Sequence, residues 1–290
     1  MADIEWVTAS GTVYPLNAIG SAGASTMQHL GGKRGRFMPP VRASYEPIAA
    51  NPGQRLVDVQ LDARELAIPV ALYSTNLAGV RAALRTWAAL LDPTAGDGAL
   101  RVNDVAPSRE LPCRYVGGLD GSETWEDQGL YSYKGLLVLR STSPYWRAIA
   151  DSTTTFTYTA AGVAFFPFFP LRLGAGVTLS SATVSNGGQV DAWPTFVCTG
   201  PFTGLTLRNG TTGRTVATSV TADAGETVTI DTNPLTRSIT KGGTNVYSTL
   251  TTTDWWPLVP GSNAVTIEGG GGFTAGTQVV ATWREQYLTV

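Results

Sequence analysis

Residues 65–101 read ELAIPVALYSTNLAGVRAALRTWAALLDPTAGDGALR, and the pattern changes period partway along. Leu66, Ile68, Val70 and Leu72 alternate with Ala67, Pro69, Ala71 and Tyr73, the period of a strand with one buried face. Leu77, Val80, Leu84, Trp87 and Leu91 then recur at steps of three and four, which makes them one stripe of a helix spanning 76–91. Arg81 and Arg85 fall off that stripe. Asn76 suits the N-cap, and Asp92-Pro93 with Gly96 and Gly98 ends the helix before Ala99-Leu100-Arg101-Val102 resumes as a strand. A helix lying across a sheet is expected, with the five anchors as its core face. Burying them contributes roughly 8–15 kcal/mol gross, at about 1.5–3 each.

Outward from this unit the chain reads as strands and turns. Its 290 residues suffice for two domains, and its charged content of 14% is low. Residues 1–148 hold 14 basic and 14 acidic residues, whereas 149–290 hold 6 and 8. The second half is rich in Thr, Ser and Gly, as stacked antiparallel strands with hydroxyls on their outer faces require. Short strands are expected at 195–199, 204–208, 215–219, 227–231, 236–240, 264–268 and 278–284, with a turn at Asn209-Gly210. The boundary is expected near Ser141–Trp146, giving domains 1–148 and 149–290. Leu111–Val116 and Leu130–Leu139 read as further strands of the first.

Net charge of −2 offers no footprint for gripping nucleic acid. The acidic N-terminus is unlike a secretory signal, and the apolar run 163–173 is broken by Pro167 and Pro170, so no membrane anchor is expected. Cys113 and Cys198 read as small buried hydrophobes.

Few residues suit catalysis. The lone histidine, His29, sits in a Gly-rich stretch, Gly20–Pro40, read as an exposed arm that holds Lys33, Arg34 and Arg36. One His and two distant Cys exclude a zinc cluster, and no nucleophile elbow is present. Asp120, Glu123, Glu126 and Asp127 in the loop 117–129 suit a glycoside hydrolase only if they flank a bond; they read as solvated. Catalytic, metal and cofactor residues are therefore expected to be none. The aromatic groups Phe165, Phe166, Trp255 and Trp256 are candidates for a contact surface. Stacking on sugars would make the protein a carbohydrate- or receptor-binding module.

Two blocks resemble a known family. The first runs from Leu66–Tyr73 through the helix to Asp92-Pro93-Thr94-Ala95-Gly96-Asp97-Gly98 and Cys113-Arg114-Tyr115-Val116-Gly117-Gly118-Leu119. The second holds Val184-Ser185-Asn186-Gly187-Gly188, Trp193-Pro194, Thr199-Gly200-Pro201, 225–231, Trp255-Trp256-Pro257-Leu258 and the closing Trp283–Leu288. Their order resembles the distal tail proteins of long-tailed, siphovirus-type phages. That resemblance implies a tail-tube-like β-sandwich with one flanking helix, then a galectin-like sandwich. It further implies a hexameric ring at the virion tail tip, made in the host cytoplasm, that joins the tail tube protein to tail-tip or fibre proteins. DNA would pass through the opening without specific binding, and host cell-wall polysaccharide is a possible partner. No catalytic residue carries over. The aromatic stretch 165–170 departs from the family pattern.

Overall fold

The computed structural model describes residues 4–18, 27–49, 52–103, 107–125, 131–158, 178–271 and 273–290. It is mainly β, with a single α-helix among the described residues. Two compact units are present, Met1–Ile149 with Tyr287–Val290, and Ala150–Gln286. The division differs from the expected one at the C-terminus, where the last four residues return to the first unit.

In the first unit the chain runs β1 (Ile4–Val7), β2 (Val13–Ala18), β3 (Gln28–His29), β4 (Val41–Pro47), β5 (Gln54–Leu61), β6 (Arg64–Ser74), α1 (Leu77–Leu90), β7 (Gly98–Val102), β8 (Arg109–Gly118), β9 (Ser122–Trp125), β10 (Tyr131–Ser141) and β11 (Trp146–Ala148). One layer is ordered β11-β8-β7-β1-β2 and the other β3-β6-β10-β9. A parallel β2–β3 pairing and an antiparallel β8–β10 pairing join the layers at both edges. Leu66, Ile68, Val70 and Leu72 are buried, as their alternation requires. The long register of β6 on β10, from Tyr131↔Ser74 to Ser141↔Arg64, carries these side chains into the core.

The helix begins where Asn76 Oδ1 accepts the Gly79 N–H at 2.7 Å. Val80, Ala83, Trp87 and Leu91 are buried against the sheet, whereas Leu77 and Leu84 are only partly covered. Ala83, off the expected stripe, is buried where Leu84 is only partly so. Tyr14 meets Trp87 edge-on at 6.5 Å, and Trp6 Nε1 donates to the Leu90 carbonyl at 2.9 Å, occupying an open acceptor at the helix end.

The second unit stacks a sheet ordered 152–157, 278–283, 195–199, 227–231, 238–241, 244–245 on one ordered 178–186, 261–268, 202–209, 214–222, 250–253. All the pairings are antiparallel, as the alternating, hydroxyl-rich sequence requires. Three buried asparagines tie the segment 255–261 to this core. Asn209 Nδ2 donates to Pro257 O and to Asn263 Oδ1, and Asn186 Nδ2 donates to Leu258 O. Asn263 Nδ2 donates to Val259 O and Gly261 O, so these carbonyls are satisfied by a side chain, while Leu258 bridges to Ala192. The Asn-Gly-Thr sequon at 209–211 is therefore a structural turn with an engaged amide.

Two predictions follow from this packing. Trp87→Ala should cost about 3–5 kcal/mol in urea unfolding, by loss of a buried indole and the cavity left behind. A cost below about 1 kcal/mol would mean that the indole fills no core. Cys113 and Cys198 are free and buried, and burial pushes the Cys113 thiol up to about 12 and raises that of Cys198. Neither should react with a thiol reagent at pH 8 until the chain is denatured; rapid labelling of the native protein would contradict the burial.

Candidate interaction surfaces and the buried arginine

Arg64 opens β6 and shares the inward parity of Leu66 and Ile68, so the strand delivers a guanidinium into the core. It is fully buried, and among the described residues it forms no salt bridge. All five N–H donors go to backbone carbonyls. Nε and Nη2 reach Pro144 O at 3.0 and 2.8 Å; Nη1 reaches Gly35 O and Phe37 O at 2.8 and 2.7 Å; Nη2 also reaches Leu288 O at 2.7 Å. Its Cζ lies 5.9 Å from the ring centroid of Trp146, whose Nε1 donates to Arg36 O at 3.0 Å. Desolvation pulls the guanidinium down to about 10, still well above neutral pH, so the group stays charged. One side chain thus holds three chain segments together.

This changes the reading of Gly20–Pro40. Residues 19–26 lie outside the described residues, but 27–40 are not an exposed arm. Met27, Gln28 and His29 are buried, with β3 paired to β6, and this corrects the expectation of an exposed histidine. Of the arm candidates, Arg34 is exposed, Lys33 is half-buried and Arg36 is buried. Backbone bonds between Arg34 and Ala67 dock the segment on β6, and Arg64 and Trp146 clamp Gly35–Phe37. Gly35 has φ +82, and a Cβ there would collide with the Glu65 carbonyl oxygen. The composition suggested a loop; the clamp makes it part of the sheet.

The arm lies immediately after it. β4 and β5 form a two-stranded ribbon of their own, exposed along nearly its whole length. Its register pairs Val41 with Leu61, Ala43 with Val59 and Tyr45 with Leu56, while Arg42 faces Gln60, Ser44 faces Asp58 and Glu46 faces Arg55. Directly paired residues share a face, so the ribbon is apolar on one side and polar on the other. A bulge between Ser44 and Tyr45 leaves Val57 as the extra residue and keeps that segregation beyond it. Tyr45, Val57 and Val59 are 58%, 58% and 51% exposed, and Phe37 and Met38 at the ribbon base are 68% and 63% exposed. An isolated two-stranded ribbon is marginal in water, and an exposed apolar face of this kind marks a surface that meets a partner.

The other sequence candidates divide. Trp255 and Trp256 belong to the core of the second unit, correcting the expectation of an aromatic contact surface there. Trp256 donates from Nε1 to Leu207 O at 3.2 Å and meets Phe196 edge-on at 5.5 Å. Phe165 and Phe166 lie outside the described residues, as do Glu126 and Asp127. Glu123 lies in β9 and pairs with Arg81 of the helix at 3.1 Å, an exposed bridge. Asp120 is exposed. Among the described residues no cluster of three or more His, Cys, Asp or Glu is disposed to hold a metal, and no helix is long and apolar enough to cross a membrane. Leu84, half-covered on the helix, lines a groove of about 300 Å³ with Ala88, Leu91, Pro93, Tyr115 and Leu119.

The fold has two β units, the first with a flanking helix and an exposed ribbon. Residues 187–287 match the family model of the siphovirus-type tail component, C-terminal domain. Among solved structures, the Dit protein of phage SPP1, described as a paradigm of hub adsorption apparatus in phages infecting Gram-positive bacteria, matches with a TM-score of 0.66 at 19% identity, covering 99% of each chain. The baseplate of phage P2 in its activated conformation matches with a TM-score of 0.53 at 8% identity, covering 100% of each chain. No curated protein matches the sequence. The resemblance to distal tail proteins read from the sequence blocks is borne out, and the whole chain has the Dit fold.

Arg64 can be tested directly. Arg64→Met leaves buried carbonyls of Gly35, Phe37, Pro144 and Leu288 short of donors and should cost about 3–5 kcal/mol. Arg64→Lys should not restore stability, because an ammonium has three donors on a point charge where five are used. Urea unfolding of both variants measures this, and full rescue by Lys would contradict the five-donor clamp.

Proposed function

We propose that the protein is a non-enzymatic structural component of a phage tail tip. In this reading its first unit closes into a hexameric ring joining the tail tube to the baseplate or fibre proteins. The observation that carries the reading is the β4–β5 ribbon, whose apolar face is exposed among the described residues. A projecting ribbon that docks on a different surface of a second copy makes a head-to-tail contact, and such contacts form a ring when the rotation closes. The number six comes from the family resemblance. The opening of such a ring must let DNA slide through without adhesion, and a chain of net charge −2 supplies no strong phosphate grip. The galectin-like second unit would then meet other tail proteins.

The test uses the full chain, because a fragment ending at residue 148 would lose the Leu288 carbonyl that Arg64 uses. Light scattering with negative-stain images at tens of micromolar protein should show closed six-membered rings. Tyr45→Asp with Val59→Asp, both exposed, should give monomers with unchanged far-UV circular dichroism. Rings that persist in the double variant would remove the ribbon from the interface. A strictly monomeric wild type over the whole concentration range would overturn the ring.

A further inference from the structure

The turn between the strands Thr227–Asp231 and Ser238–Lys241 presents the most exposed large apolar side chain among the described residues, Leu235 at 91%. The turn is held by its own side chains. Asn233 N donates to Asp231 Oδ1 and Leu235 N donates to Asn233 Oδ1, both at 3.0 Å, and Thr236 Oγ1 donates to Asp231 Oδ2. Thr232 Oγ1 anchors its start by donating to Pro194 O at 2.6 Å. An apolar side chain held out in water by a well-bonded turn loses little conformational freedom on meeting a partner.

Two residues on, Arg237 is exposed, and its Cζ lies over the rings of Trp193 and Trp255 at 5.9 and 5.8 Å from their centroids. Tyr247 stacks on Trp255 at 6.3 Å. Among the described residues Arg237 makes no ion pair and no hydrogen bond, so its planar fork of N–H donors is open while the indoles restrict its orientation. A guanidinium in this state is suited to a carboxylate or a phosphate oxygen pair. The neighbouring side chains choose between them. Asp254, which precedes Trp255, is paired with Arg214 at 3.8 Å, and Asp231 accepts the turn's own hydrogen bonds. The exposed Leu235 two residues away adds an apolar contact that a protein segment uses and a sugar-phosphate chain does not.

We propose that Arg237 and Leu235, with Trp193 at the side, form a docking site for a protein segment that carries a carboxylate beside a large apolar residue. Clusters of Arg and Trp around an apolar anchor are the composition of interface hot spots. The site lies wholly in the second unit and does not depend on ring formation.

The test titrates the full chain against an array of synthetic hexapeptides carrying Asp or Glu next to Leu, Ile or Phe. Their Asn and Gln counterparts and inorganic polyphosphate serve as comparisons, with tryptophan fluorescence and fluorescence polarisation as readouts. Saturable binding of acidic–apolar peptides is expected, with the amide counterparts weaker by about tenfold or more. Arg237→Ala should lower the affinity by a similar factor, and Arg237→Lys should not restore it. Because Arg237 covers part of an indole, Leu235→Ser provides the variant that leaves the fold untouched; it should weaken binding several-fold with an unchanged melting temperature. Absence of binding by any acidic peptide, equal binding of the amide counterparts, binding indifferent to both variants, or tighter binding of polyphosphate would each overturn the proposal. A monomeric chain that still binds these peptides would leave the site intact and count only against the ring.

Discussion

A fully buried guanidinium held by backbone carbonyls sets the constraint on which the first unit depends. An ion in that position is tolerated only when every donor is met, and Arg64 meets this condition with backbone carbonyls alone. Those carbonyls come from residues near 36, 144 and 288, so the arrangement exists only when the segment before the ribbon, the corner before β11 and the chain terminus are all in place. Trp146 closes the same node from the other side through Arg36 O. At the C-terminal end Arg109 lies over the Tyr287 ring at 3.7 Å and donates to Thr289 O. The terminus is thereby part of the first unit's packing, although 137 residues of the second unit precede it.

Much of this was legible in the sequence, and the places where it was not share a cause. The helix was readable because a 3.6-residue stripe, an Asn cap and a Pro stop agree with one another, and β6 because apolar residues alternate. Parity also marks Arg64 as inward-facing, since it precedes Leu66 by two, but carbonyl acceptors leave no trace in side-chain identity. The ribbon was half visible: Gln54–Val59 reads as a strand, whereas its partner Val41–Pro47 was not marked as one. Its unpaired apolar face was not visible, because that depends on what the rest of the chain leaves uncovered. Gly and Ser content instead directed attention to Gly20–Pro40, where sheet pairing and the Arg64 clamp override local composition. Trp255 and Trp256 look alike in sequence to an exposed aromatic pair, and their burial depends on core partners distant in the chain, such as Leu207 and Phe196 around Trp256.

The clamp and the ribbon are mechanically linked in the proposed assembly. Gly35 and Phe37, held by Arg64, lie just before the ribbon's first strand, and Arg64 itself follows its second strand by three residues. Both ends of the exposed ribbon are therefore fixed to one node, which aims it. Rigid aim lowers the ordering cost of docking, so a ribbon that is marginal alone can form a specific contact. The second unit, low in charge and closed by its asparagine network, is built to carry surface features such as the Leu235 turn.

Backbone hydrogen exchange across residues 41–61, followed from sub-micromolar to high-micromolar protein, tests the central claim most directly. If the ribbon is the element that one copy inserts against the next, its amides should exchange rapidly in the dilute monomer and become protected as the assembly forms, while the strand 64–74 is protected throughout. Rapid exchange in the ribbon at every concentration, in samples where rings are present, would contradict it.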